Sequence, residues 1–247
     1  MPRLYEDLAF LWPLLSPPED YEAEAEQIRL VIKTHLSADT RGRILEFGAG
    51  GGHTLCHLTA EFDATAVDLS DSMLENSRRL NPDVNHVVGD MRSLRLDQTF
   101  DAALIHDAID YMLSEDDLRA TFQTASAHLN SGGVLIVAPT YIRENFVDHQ
   151  SESDCFWSGD QTGEPVNGVS DLAYASYVHD PDPDDSGFRL YMMITYRMDR
   201  RLHCIEDVHE CGLFTTDTWI DLIRGAGFEL MPTQTDGPFV CFVALKK

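Results

Sequence analysis

The sequence predicts a doubly wound α/β fold: a mostly parallel sheet with helices on both faces. Three observations lead there. Short apolar runs alternate with helical patterns between Ile44 and Ala138, and repeated β-α units of this length form parallel sheets. The first run ends in Gly48, Gly50, Gly51 and Gly52, a turn in which backbone can approach a ligand beside a helix N-terminus. The second ends in Asp68, at about the twenty-residue distance past the first glycine where such folds place a carboxylate for ribose hydroxyls.

The elements follow in order. Leu4, Leu8, Leu11 and Leu15 have helical spacing, with Tyr5, Phe10 and Trp12 between them and Pro13, Pro17 and Pro18 breaking the run. So apolar a segment is too sticky for a free tail and reads as a separable lid. Residues 21–36 form an amphipathic helix. Strands are expected at 44–47, 64–67, 85–88, 100–105 and 134–138, and helices at 53–60, 71–80 and 115–129. Ser70 or Asp71 caps the second of these helices, and Gly132-Gly133 turns the chain before the fifth strand. Residues 140–170 are polar and irregular. Three β-rich runs come next, at 172–179, 188–198 and 202–212; DPDPDDSG (180–187) joins the first two, and residues 198–201 close the second hairpin. A helix at 215–225 and strands at 228–231 and 239–245 end the chain. No internal repeat occurs. The expectation is one domain over 1–247, with an N-terminal helical lid at 1–36. A β-rich insertion at 140–212 folds over the edge of the sheet where ligands of open α/β sheets bind.

Composition narrows the partners. Forty-two acidic residues against 18 basic ones give a net charge of −24, and lysines are confined to Lys33, Lys246 and Lys247. Such a field repels nucleic acid and anionic membranes, so neither is expected as a partner; a cationic substrate would be attracted. No apolar run reaches bilayer length and the first residues lack a signal-peptide pattern. The five cysteines are scattered without a CxxC pair, which suits reduced thiols in the cytoplasm. A monomer or homodimer is expected.

The spacing of the glycines decides between nucleosides. The dinucleotide fingerprint needs a glycine at the sixth position of the turn, and His53 stands there. The pattern is instead Glu46-x-Gly48-x-Gly50-x-Gly52, which resembles motif I of the class I S-adenosylmethionine (SAM) methyltransferases. The resemblance continues in order through VDLSDSML (67–74), GDM (89–91), FDAALIHDAIDYM (100–112) and LNSGGVLIVAP (129–139). It implies a Rossmann-like class I methyltransferase sheet and SAM as cofactor. Gly48, Gly50 and Gly52 would hold the methionyl part, with Ala49 beside them at the cofactor, Glu46 the turn or the amino-acid end, and Asp68 the ribose. Leu69 and Met73 would pack on the adenine, with Asp90 and Met91 at its edge.

A closer likeness runs nearly end to end. The start at Tyr5, DYEAEA (20–25), RENF (143–146), HECGLFT (209–215) and AGFELM (226–231) resemble the nucleotide-sugar N,N-dimethyltransferases of antibiotic biosynthesis and related small-molecule enzymes. That likeness implies an N-terminal segment covering the cofactor, with Tyr5 and Tyr21 near the active site and Arg143 and His209 on the acceptor side. It departs after strand four: this chain has His106-Asp107-Ala108-Ile109-Asp110-Tyr111, where those enzymes carry small, partly hydroxylated residues, and an acidic loop is a poor partner for a diphosphate.

The expected activity is SAM-dependent methylation of N or O on a small molecule of secondary metabolism, an amine being favoured. His106 is the first candidate base, since an imidazole suits neutral pH, and it lies beside the cofactor as well. Asp107 or Asp110 would hold an ammonium, Tyr111 would orient the acceptor, and His209 is the next base in line. Carboxyl or phenol O-methylation, and SAM binding without transfer, are the alternatives. His203, Asp207, His209 and Cys211 share one face of a regular strand; they read as polar residues on a half-exposed sheet, and no metal is expected.

Overall fold

The computed structural model describes residues 1–36, 41–157, 167–232 and 241–247. Its central sheet has seven strands in the order β10-β11-β5-β4-β1-β2-β3. Strands β1 (Arg43–Phe47), β2 (Asp63–Asp68), β3 (Asn85–Val88), β4 (Phe100–His106) and β5 (Leu129–Ala138) are parallel. Strand β11 (Phe242–Lys246) lies antiparallel to β5, and β10 (Phe228–Leu230) antiparallel to β11. From β1 the chain steps outward to β2 and β3, then returns to the other side for β4 and β5. The crevice where that order reverses, at the carboxyl ends of β1 and β4, is where open α/β sheets bind ligands.

Alternation along each strand fills two layers. Ile44, Ala66, Leu104 and Ile136 face α2 (Glu22–His35), α3 (His53–Cys56) and α4 (Asp71–Leu80) through Ile28, Leu55 and Leu74. Leu45, Phe47, Ile105 and Val137 face α5 (Glu115–His128) and α6 (Thr216–Gly225) through Phe122, Trp219 and Ile223. Both faces of the parallel sheet are buried, so its strands are near-continuous apolar runs.

A second, antiparallel sheet has the order β6-β7-β8-β9: β6 (Ser151–Trp157), β7 (Val169–His179), β8 (Gly187–Met198) and β9 (Arg201–Gly212). Asp199 and Arg200, with φ of 49° and 63°, make the two-residue turn between β8 and β9, the left-handed geometry that suits the twist of a hairpin. The N-terminal segment packs on this sheet, burying Leu4, Leu8 and Leu11 against Val169, Leu172 and Ile194.

Several expectations are corrected. Strand β6 lies within a stretch read as irregular. The predicted helix at 53–60 is one turn, α3, followed by turns to residue 62. Strand β5 starts at Leu129, before the Gly132-Gly133 turn. The N-terminal segment is a series of 3-10 turns around the four-residue α1 (Trp12–Leu15), because its prolines interrupt the helical ladder. Of the last predicted strand, residues 239–240 lie outside the described residues. Among the described residues, no helix is long and apolar enough to cross a membrane.

Candidate active site

A cleft of about 1020 Å³ opens at the switch point, between the parallel sheet, the N-terminal segment and the inner face of the antiparallel sheet. Its floor is the glycine turn. Gly48 and Gly50 adopt φ of 70° and 52°; a methyl group on Gly48 would overlap that of Ala108, and positive φ strains any branched residue. Asp68 braces the turn, accepting from the Gly50 N–H through Oδ2 (2.8 Å) and from the Ser70 N–H through Oδ1 (2.8 Å). Burial raises its pKa against those two donors, and each oxygen keeps a second lone pair. Glu46 stands behind the turn with Oε2 buried and without a partner among the described residues. Burial pushes its carboxyl up to about 8, opposed by His106 and aided by Asp68 and Glu24.

Leu69, Met73, Asp90 and Met91 line the same end. Asp90 is clasped by Arg92, whose Nη2 lies 2.7 Å from Oδ2 and whose Nη1 also reaches Asp117 (2.8 Å); the guanidinium holds the Asp90 carboxyl low. Trp12 stacks on His53, and Tyr21 meets both His53 and His106 edge-on.

Beyond β4, a 3-10 turn (Asp107–Tyr111) carries the charged loop. His106 is held by Glu24 at Nε2 (2.8 Å) and by Asp107 at Nδ1 (3.3 Å). Burial lowers its pKa, but Asp107, Glu24 and Glu46 together raise it to about 9. A pKa raised this far favours the imidazolium at neutral pH, with Glu24 at one ring nitrogen and Asp107 at the other. Asp110 accepts from the Thr140 N–H through Oδ2 (3.2 Å), while its Oδ1 is buried without a partner among the described residues. Burial and then Asp107 drive its pKa well above the ordinary value, and the residue lines the cleft.

A line of hydrogen bonds runs from the cleft into the antiparallel sheet. Tyr5 Oη lies 2.8 Å from Tyr111 Oη, Tyr111 Oη 2.7 Å from His209 Nδ1, and His209 Nε2 3.2 Å from Asp207 Oδ2. Asp207 Oδ2 also accepts from the Leu4 N–H (2.8 Å), and Oδ1 from the Arg3 N–H (3.2 Å). The carboxylate fixes the direction. His209 donates from Nε2–H, so neutral Nδ1 accepts from Tyr111 O–H, and Tyr111 oxygen accepts from Tyr5 O–H. Tyr5 oxygen therefore keeps its lone pairs for the cleft. Burial lowers the His209 pKa against the pull of Asp207, so the imidazole is neutral. The Ser70 hydroxyl donates to the Tyr5 carbonyl while accepting from the Met73 N–H (3.0 Å), tying the N-terminal segment to α4.

The structure thus brings together at the cleft Tyr5, Tyr21, Glu46, Gly48, Ala49, Gly50, Asp68, Leu69, Met73, Asp90, Met91, His106, Asp107 and Tyr111. Two expectations fail. His209 is fully buried behind Tyr111 and does not line the cleft; with Asp207 it lies under the N-terminal segment rather than on a half-exposed face. Arg143 is turned away: its guanidinium donates to the carbonyls of Pro183 (3.3 Å), Asp185 and Leu213 (3.3 Å) and pairs with Asp180 (3.7 Å). Sequence reasoning gave no role to Glu24, although it lies within the DYEAEA stretch, and missed Glu152, in the overlooked β6.

Residues 44–133 match the methyltransferase domain family. Over 138 residues the chain is 33% identical to the dTDP-3-amino-3,4,6-trideoxy-alpha-D-glucopyranose N,N-dimethyltransferase of Streptomyces venezuelae, covering 55% of this chain and 57% of the relative. Over 223 residues it is 26% identical to the dTDP-3-amino-3,6-dideoxy-alpha-D-glucopyranose N,N-dimethyltransferase of Streptomyces fradiae, covering 89% and 82%. The first match spans little more than half of that relative's length. The crystal structure of Streptomyces venezuelae DesVI superposes with a TM-score of 0.79 at 26% identity, covering 92% of each chain.

Proposed function

We propose that this chain, which carries a class I methyltransferase domain, is a SAM-dependent methyltransferase that methylates an amine nitrogen of a small molecule. The residues fit the cofactor. Gly48 and Gly50 leave bare backbone at the cleft floor, Asp68 retains acceptor capacity for two hydroxyls, and Glu46 Oε2, without a partner among the described residues, would accept from an ammonium donor. When bound, SAM supplies an electrophilic methyl on a sulfonium.

One observation carries the amine reading: the directional line from Tyr5 to Asp207. A protonated amine cannot attack until it loses a proton. Tyr5 oxygen accepts that proton while Tyr5 O–H passes its own to Tyr111 and Tyr111 passes its own to His209 Nδ1. The resulting imidazolium is stabilised by Asp207, which the Arg3 and Leu4 N–H groups hold in place. The N-terminal segment closes the cleft and completes this line in one step, excluding water where electrostatic interactions are then stronger. His106, as an imidazolium between Glu24 and Asp107, fixes the loop at the reaction centre. A carboxylate acceptor would need no base and would be repelled by the acids at this end. The sugar N,N-dimethyltransferase relatives support nitrogen over oxygen.

The reading places the protein in the cytoplasm, as a monomer or homodimer without nucleic-acid or membrane partners. It is tested by calorimetry with SAM and S-adenosylhomocysteine, followed by product analysis over amines, phenols and carboxylic acids. Cofactor binding with methyl transfer to amines is expected. Cofactor binding with no product from any acceptor would make the chain a SAM-binding protein instead.

A further inference from the structure

We infer that the acceptor is a phosphate-free amine with an apolar body, and that the cleft rejects the nucleoside diphosphate which the named relatives' substrates carry. The inference rests on the SAM-dependent reading above. Diphosphate recognition calls for guanidinium or ammonium groups, or a nest of backbone N–H donors. Among the described residues, eight carboxyl side chains line this cleft and Arg92 is its one arginine or lysine. Arg92 is already clasped by Asp90 and Asp117, and the His106 imidazolium by Glu24 and Asp107. Lys33 pairs with Glu61, and the Lys246 ammonium donates to the Ser126 and Leu129 carbonyls, both away from the cleft. Arg143, which the family likeness assigns to the acceptor side, is occupied by three carbonyls and Asp180.

What the acceptor end offers instead is cation and apolar chemistry. Glu152 on β6 stands opposite Ser176 on β7, which stands opposite Met192 on β8, all lining the cleft. Tyr141 and Phe188, packed edge-to-face at 5.5 Å, and Tyr174 line it beside them. Asp110 lines the same cleft, and its Oδ1 is buried without a partner among the described residues. An ammonium or amine thus finds acceptors and aromatic faces here, whereas a diphosphate finds, among the described lining residues, no arginine or lysine that is not already paired with carboxylates.

The test uses the full chain loaded with S-adenosylhomocysteine and titrates it with dTDP, at 0.1 M and 2 M KCl. High salt shortens the Debye length to a few ångströms, removing repulsion by the overall charge but not the lack of phosphate ligands. No dTDP binding below millimolar concentration is expected at either salt. In parallel, S-adenosylhomocysteine release is followed with an aminosugar as its alkyl glycoside and as its dTDP ester; the glycoside should be favoured at least tenfold in kcat/KM. Glu152→Lys should narrow that preference by raising KM for the glycoside. Micromolar dTDP binding at either salt, or preference for the dTDP ester, overturns the inference and leaves SAM-dependent transfer standing. If neither aminosugar is methylated, the dTDP titration still decides it. Failure to bind S-adenosylhomocysteine overturns the reading beneath.

Discussion

Against the parallel sheet the cleft is walled by backbone; against the antiparallel sheet it is walled by side chains. In the first half, the glycine turn, Asp68 and the cap of α4 come from one stretch of about two strands and a turn, and the hydrogen bonds that set the site run between near neighbours in sequence. In the second half, Tyr5, Tyr111, His209 and Asp207 come from three separate segments, with the Asp207 contacts to Arg3 and Leu4 spanning more than two hundred positions. The first half is therefore a property of local chain geometry. The second exists only once the N-terminal segment has docked.

The largest expected effect separates the two halves most cleanly. Deleting residues 1–16 removes Tyr5 and the two N–H donors to Asp207. The central sheet should stay folded by circular dichroism, while turnover should fall by about a thousandfold or more, within the range for lost general-base catalysis. Undiminished methylation by the truncated chain would dissolve the distinction.

Gly50→Val strikes the other half. Its left-handed backbone strains a branched residue by about 1–3 kcal/mol, and the side chain enters the space needed for close approach. S-adenosylhomocysteine affinity should drop by about a hundredfold or more. Asp68→Ala should weaken the same ligand by about 1.5–3 kcal/mol, the scale for hydrogen bonds to a charged group. Calorimetry on folded protein checks both, and unchanged affinity in Asp68→Ala would remove that residue from the ribose site.

Tyr111→Phe breaks the line of hydrogen bonds without touching the glycine turn. A loss of about a hundredfold in kcat is expected, with S-adenosylhomocysteine affinity within a few fold. The pH profile carries the same signature. Burial keeps His209 neutral through pH 7; turnover should hold through neutrality and fall only below the ordinary histidine value of about 6.5, as a protonated Nδ1 can no longer accept from Tyr111. Folding stability should weaken in the same acid window, because the unfolded chain binds that proton more readily.

The sequence was legible where the contacts are local. The strand, turn and acidic strand end spell out the cofactor half directly, because glycine spacing and a carboxylate position are one-dimensional features. Strand β6 was not legible, since SESDCFW carries no apolar alternation to mark its polar start as a strand. The shared face of Asp207 and His209 was visible from alternation, yet their burial was not. Burial there depends on Leu4 and Leu8 landing on the sheet from the far end of the chain. The charge state of His106 was hidden for the same reason: Glu24 reaches it from α2, 82 positions away.

That last pairing yields the smallest expected effect and the sharpest distinction. An imidazolium whose pKa is raised to about 9 contributes stability that is fully present below about 6.5, its unfolded value, and is lost as pH rises through about 9. His106→Gln keeps a side chain able to hydrogen bond Glu24 but carries no charge and cannot titrate. The variant should lose the alkaline decline in thermal stability near pH 9 and be less stable than the parent at pH 7. Its turnover should fall by less than about tenfold, since the group it removes holds the loop in place rather than taking the proton. A drop of about a hundredfold with cofactor affinity intact is the size expected for a missing general base. It would move proton acceptance from Tyr5 and His209 to His106, and the acceptor half would then be built on the same parallel strand end as the cofactor half.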